Sequence, residues 1–440
     1  MEPSRRITHG SRGEVIFSWM VTVLFGVSVA VGCVKNFRPL GLDFGSWEIS
    51  DWLINYEGGL VRRGLIGQLL LELEQLRLYD VRLAIAGICA VCSVALLWIV
   101  LRIFRREGWS WLIIPTGLCL GYTFLNLWAR RDMLSLIMTF FIFLSYRNAV
   151  SRQRNWLSWG AFYVLSVLQI LIHEASFFYT FPILMLYEFH RQRMRQLSMV
   201  ASAAKCLLFF MPVLVTMCIA CLFKGDQQTA EAIWTSWGKV FTAFQPDAIN
   251  QLGKGVEALG WDAGQTFYNH LYTSLLGCVH PSYWGILWTL FNLVATYYLL
   301  TRVDCVKAGI YPQRAMSHTT MSDIALVQYV ALLPMYTVLS CDWGRTLPYL
   351  VITSVFFYHL FKQEQPLFSH RLTRVSTSLQ GAISGNRVLT LPVIYILLVL
   401  LTPIPRYHVP FDSLNTFQQK FWTELMHIIN PYPFPDNEPH

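Results

Sequence analysis

Four short clusters in this chain carry side chains that could do chemistry. The first is the run Tyr56-Glu57-Gly58-Gly59-Leu60-Val61-Arg62-Arg63-Gly64-Leu65-Ile66-Gly67, with Asp51 just upstream. The second is Arg130-Arg131-Asp132, and the third is His173-Glu174. The fourth holds Asp342 and Arg345 in Cys341-Asp342-Trp343-Gly344-Arg345. A guanidinium is a planar fork of donors that matches phosphate oxygens. A histidine beside a carboxylate can exchange a proton near neutral pH. Together these types suit a transfer in which a base takes a hydroxyl proton and cations hold a departing diphosphate. Each cluster also has a plainer reading. Arginines at span ends snorkel to lipid headgroups. Asp132 suits the first turn of a helix, and Asp342 and Arg345 can pair on one helical face. His173-Glu174 can be a satisfied polar pair at a helix break.

The elements that must position these residues follow from composition. The chain has 440 residues, 54% hydrophobic and 14% charged, with a mean hydropathy of +0.42. Soluble domains carry about 25% charged residues, which excludes a string of soluble domains. Apolar runs of spanning length recur along nearly the whole chain. We therefore expect an all-α polytopic membrane protein, a single transmembrane domain over 1–440. About eleven spans are expected, near 15–34, 82–104, 110–128, 132–146, 156–172, 174–189, 201–223, 283–301, 320–340, 346–362 and 388–403. The fourth and sixth are short, which implies tilt, a break or a longer helix. Residues 35–81 read as an amphipathic outer segment on or in the interface, and 224–282 as one long outer loop. Most of the ten cysteines lie in apolar runs, Cys89, Cys92, Cys119, Cys218 and Cys221 among them, and read as small core residues. The first apolar run follows Arg5, Arg6 and Arg12 without a clear cleavage site, so it reads as a retained span.

Basic residues set the orientation. With the N-terminus in the cytoplasm, 20 of the 34 lysines and arginines fall in short loops on that side, and 19 of the 26 acids fall outside. The C-terminus is then outside. On this topology Arg62 and Arg63, Arg130 and Arg131, His173 and Glu174, and Asp342 and Arg345 all lie at span ends on the outer face. Arginines that defy the inside bias at several separate turns point to a common anionic ligand there. The acids of the first outer segment, Asp43, Glu48, Asp51 and Glu57, could supply a base or hold a divalent metal. The long outer loop is rich in aromatics, Trp234, Trp237 and Trp261 among them. These suit a glycan groove or an interfacial belt. No Walker A, HExxH or GxSxG sequence is present, and no inner loop is long enough for a nucleotide-using domain.

The hairpin from Trp128 to Pro182 resembles the Wzy/EpsG-type polysaccharide polymerases of bacterial inner membranes. Arg131-Asp132 with Ser135, then His173-Glu174-Ala175-Ser176 and Pro182, fit that family's layout, and Arg345 matches a late outer-face arginine. The likeness covers about 60 residues; Asp132 and Glu174 depart from the family's pattern, and Arg62-Arg63-Gly64 lies outside it. The resemblance implies a GT-C-like multi-spanning glycosyltransferase of the bacterial inner membrane, active at the periplasmic or exterior face. A glycan on a polyprenyl diphosphate carrier would pass to a lipid-linked repeat unit, as in O-antigen or exopolysaccharide synthesis. The base or its orienter would come from His173, Glu174, Asp342 or Glu57. Arg62, Arg63, Arg130, Arg131 and Arg345 would hold the diphosphate, with Asp132 and Asp51 orienting. The implied partners are lipid-linked donor and acceptor, the bilayer, and a chain-length regulator or flippase; no nucleic acid, cofactor or metal is expected. Two alternatives stay open. One adds a single sugar from a polyprenyl phosphate donor, with Asp51 and Glu57 as base or metal ligands. The other is a transporter or flippase, which would need charges along a path across the membrane.

Overall fold

The computed structural model describes residues 45–75, 81–107, 129–151, 155–241, 252–262, 320–335 and 343–362, with isolated helical positions elsewhere. Among the described residues every regular element is a helix. In chain order these are α1 (Trp47–Ser50), a 3-10 turn (Asp51–Leu53), α2 (Gly64–Gln75), α3 (Val81–Glu107), α4 (Asp132–Ser151), α5 (Trp156–Ile172) and α6 (Ser176–Met194). Then follow α7 (Met199–Phe209), α8 (Met211–Leu222), α9 (Gln227–Phe241), α10 (Lys254–Glu257), α11 (Met321–Pro334) and α12 (Trp343–Phe361).

Local sequence explains the boundaries that matter. Asp132 opens α4, where a carboxylate is favoured by the helix dipole. Asn155 caps α5 by accepting from Ser158 N–H at 3.4 Å, and Ser198 caps α7 by accepting from Ala201 N–H at 3.2 Å. Helix α5 stops because His173 is extended, at φ −157 and ψ 98. The chain reverses through Glu174 and Ala175, with Ser176 and Phe177 N–H donating to the His173 and Glu174 carbonyls at 3.0 Å each. Helices α4, α5 and α6 therefore run up and down, with residues 131, 173 and 174 at one end of the bundle.

The opposite end is closed by aromatic rings and by two buried carboxylates. Tyr146 packs against Phe162, Phe209 and Phe361 at centroid distances of 5.6, 6.0 and 6.1 Å. Glu188 is fully buried and accepts from the Tyr146 hydroxyl at 2.5 Å and from Arg191 Nε and Nη2 at 2.7 Å each. Glu107 meets His359 Nδ1 at 2.8 Å and also pairs with Lys362. Buried charge is tolerated only when neutralised in this way.

Several sequence expectations change. Among the described residues two helices, α3 and α4, are long and apolar enough to cross a membrane, or three if the bent pair α7 and α8 is one span. Helices α5, α11 and the Pro348–Phe361 part of α12 are apolar but shorter. The expected single span 201–223 is broken, because α7 and α8 meet at 64°. Pro212 lies in the first turn of α8, where its ring and missing N–H prevent one continuous helix. The fourth expected span is longer than hydropathy outlined, reaching Ser151, and the sixth begins at Ser176 and reaches Met194. The spans expected at 15–34, 110–128, 283–301 and 388–403 lie largely outside the described residues.

The amphipathic segment folds as a cap built together with the long loop. Helix α2 sits so close to the 3-10 turn that a Cβ on Gly67 would stand 1.9 Å from the Ile54 carbonyl oxygen. Gly58 abuts the backbone of Thr229 in α9, where a Cβ would meet its carbonyl oxygen at 2.7 Å. Trp237 of α9 is buried and donates to the Leu53 carbonyl at 2.7 Å. Trp237 and its buried neighbour Trp234 are thus core of the cap, neither an open glycan groove nor an interfacial belt.

Candidate functional site at the capped end of the bundle

The cap and the hairpin bring five of the sequence-selected residues into contact. Arg63 forks onto Glu174, with Nε 2.7 Å from Oε2 and Nη2 2.6 Å from Oε1. Its Nη1 reaches Asp51 Oδ1 at 3.2 Å. Arg62 Nη1 stands 3.4 Å from Glu174 Oε1. Arg131 lies beneath, fully buried, with Nε 3.3 Å from Asp51 Oδ2 and Nη1 donating to the carbonyls of Arg63 and Ile172 at 2.9 Å each. Its guanidinium also stands 5.7 Å over the Trp52 ring, and Trp52 Nε1 donates to the Ala129 carbonyl at 2.6 Å. Three guanidiniums thus face two carboxylates, one formal positive charge in excess.

Each position has a local cause. Arg62 N–H donates to the Phe223 carbonyl at 2.8 Å, which pins the turn to the end of α8. Arg63 adopts a left-handed φ of 65, and Gly64 follows with the Tyr56 ring so near that a Cβ would clash at 2.3 Å. Asp51 is held by the loop residues behind it. Gly255 N–H donates to Ser50 Oγ at 2.8 Å, and a Cβ on Gly255 would lie 2.7 Å from the Asp51 nitrogen. His173 and Glu174 occupy the break between α5 and α6, and His173 is 4% exposed.

Charge state follows from these contacts. Burial alone would raise the Glu174 carboxyl, but Arg63 and Arg62 override it and hold the group well below the usual carboxylate range. Burial opposes charge on Arg63 too, yet Glu174 and Asp51 raise its pKa above the usual value. Arg131 is pulled down by burial, lifted by Asp51 and lowered again by Arg63, with a net fall from its usual value. Glu174 is accordingly an ionised, engaged carboxylate in this geometry and a weak base while Arg63 holds it.

The other sequence-selected residues are placed as follows. Asp132 is buried in the first turn of α4, directly after Arg131. Arg130 is half-buried on the same turn. Glu57 is exposed on the cap, and no ion pair among the described residues involves it. Asp342 lies outside the described residues, and Arg345 is a backbone position in the first turn of α12. Asp43 also lies outside them. Sequence reasoning missed Trp52, Ser50 and the Gly253-Lys254-Gly255 segment. Nothing in the sequence ties 253–255 to Asp51, since the contact crosses some 200 residues. It also missed a buried polar ladder below the site. Gln169 Nε2 donates to the Ser135 carbonyl at 3.0 Å and to Thr139 Oγ1 at 2.8 Å, and Thr139 and Thr180 hydroxyls lie 2.9 Å apart.

Comparison with protein-family models, with curated proteins and with solved structures finds no match. Among the described residues no group of three or more histidine, cysteine, aspartate or glutamate side chains could hold a metal ion. The cluster offers guanidinium donors to an oxyanion, with a histidine adjoining.

Proposed function

We propose that this chain is a membrane glycosyltransferase that moves a glycan from a polyprenyl diphosphate carrier onto a lipid-linked repeat unit, as a polysaccharide polymerase does. The observation that carries the reading is the convergence of Arg62, Arg63 and Arg131 on Asp51 and Glu174 at one end of an apolar helix bundle. A cationic, mostly buried cluster beside apolar helices matches an amphiphile with a diphosphate head and a hydrocarbon tail. In the reaction the acceptor hydroxyl oxygen attacks the anomeric carbon, the bond to the diphosphate oxygen breaks, and the electron pair leaves with polyprenyl diphosphate. The arginines stabilise that leaving charge, and His173 takes the hydroxyl proton. Arg131 fastens the site to the hairpin through two backbone carbonyls.

A second reading is favoured by Asp51, which stands between Arg63 and Arg131 while Glu57 stays apart. Asp51 would then be the base of a single-sugar transfer from a polyprenyl phosphate donor, once the donor phosphate draws Arg63 off it. A glycan ladder from cells tests both, with Arg62→Gln and His173→Ala compared at matched expression. Loss of long chains with a surviving single-repeat band supports the polymerase. Loss of the single repeat as well supports the single-sugar transferase. An unchanged ladder in both variants overturns the site.

A further inference from the structure

The ion pairs of the cluster are made by the same groups that would receive a ligand. Both Glu174 oxygens are taken by the Arg63 fork, at 2.7 and 2.6 Å, in the geometry with which arginine binds two phosphate oxygens. Arg62 touches the same carboxylate only at 3.4 Å, and its shielded Nε has no acceptor. Arg131 Nη2 is likewise shielded without an acceptor. Two buried donors left over beside a carboxylate that satisfies only part of the cluster mean that Glu174 fills it incompletely. Access exists from one side, since the Arg62 and Arg63 side chains are 33% and 26% exposed against 0% for Arg131. Both halves of the contact sit on turns between helices or at a helix start. Glu174 lies between two helices, and Arg63 holds a left-handed φ of 65 that a non-glycine residue adopts at a cost.

We propose that Glu174 is an internal stand-in for the ligand: a diphosphate takes Arg62 and Arg63 from it, and the displaced carboxylate is released beside His173. The inference rests on the reading of the cluster as a diphosphate site and adds how that site opens. An oxyanion with more acceptors than a carboxylate can also serve the donors that Glu174 leaves over. The free site stays charge-compensated, and Glu174 becomes available as a base or positioning group only when the carrier is bound.

The test uses the full chain in lipid nanodiscs and isothermal titration with inorganic pyrophosphate and with farnesyl diphosphate. Glu174→Gln removes the competitor, so pyrophosphate should bind at least about tenfold tighter than to wild type, because fewer molecules hold the arginines occupied. Arg62→Gln added to that variant should cancel most of the gain. If Glu174→Gln is not monodisperse, Glu174→Asp keeps the charge but shortens the reach and should tighten binding by about threefold. Farnesyl diphosphate binding at least about tenfold tighter than pyrophosphate assigns the head group to a membrane lipid, and equal binding assigns it to the free anion; the gain on removing Glu174 carries the proposal in either case. Wild-type binding with no gain in a folded Glu174 variant overturns the stand-in and leaves the diphosphate site. No binding to any of the proteins overturns both.

Discussion

Arg63 and Glu174 share one pair of hydrogen bonds, and removing either leaves the other, in a mostly buried place, with only its longer contact, Asp51 for Arg63 and Arg62 for Glu174. Breaking such a pair costs about 3 kcal/mol, well above a surface ion pair. Arg63→Ala and Glu174→Ala should each lower the unfolding temperature of the purified protein. The double variant should lose clearly less than the summed losses, which a double-mutant cycle measures. The pH dependence has a definite sign. The folded-state Glu174 pKa is depressed, so its contribution is present above the unfolded value of about 4.3 and is lost as pH falls toward the folded value. The stability gap between wild type and Glu174→Gln should stay constant from about pH 8 to pH 5 and shrink only below about pH 4. A gap that closes near neutral pH would contradict the ion pair. The charged residues themselves were legible in the sequence, because arginines outside the positive-inside bias stand out. Their division of labour was not. Asp51 and Glu57 looked alike as acids, yet the first is buried between two arginines and the second is exposed.

At the scale of elements, the cap depends on glycines at points of close approach. Helix α2 meets the 3-10 turn at Gly67, whose added Cβ would overlap the Ile54 carbonyl. Gly67→Ala should destabilise by about 2 kcal/mol through forced separation of the two elements. Gly87→Ala in α3, with nothing within 4 Å of the added methyl, should leave the unfolding temperature unchanged or slightly raised. Thermal unfolding by intrinsic fluorescence separates the two. Hydropathy read the hairpin α4–α5 well, because its apolar runs end at charged residues on both sides. It failed at 201–223, where apolar content is continuous and only Pro212 marks the break. It could not foresee that residues 253–255 brace Asp51, since tertiary contacts across a long loop leave no periodic trace.

For the whole molecule, the two ends of the bundle hold different sets of ionisable groups. One holds the arginine cluster under its cap, and the other is closed by Glu188 with Arg191 and by Glu107 with His359 and Lys362. If the capped end faces outward, Glu57→Cys on the cap should react with a membrane-impermeant maleimide in intact cells. Arg193→Cys, exposed beyond the other end, should react only after lysis, each compared with the unsubstituted chain. The opposite pattern would invert the topology. The all-helical class was legible from composition and the orientation is an inference from the basic residues, whereas the number of spans was not fixed by hydropathy alone.

The most direct measurement is made on the purified chain in lipid nanodiscs, supplied with a polyprenyl diphosphate-linked repeat unit as donor and acceptor. The account predicts one polyprenyl diphosphate released for each linkage formed, with release lost at least about a hundredfold in Arg62→Gln and in His173→Ala. Elongation that continues at the wild-type rate in both variants, or glycan transfer without release of the diphosphate carrier, would contradict it.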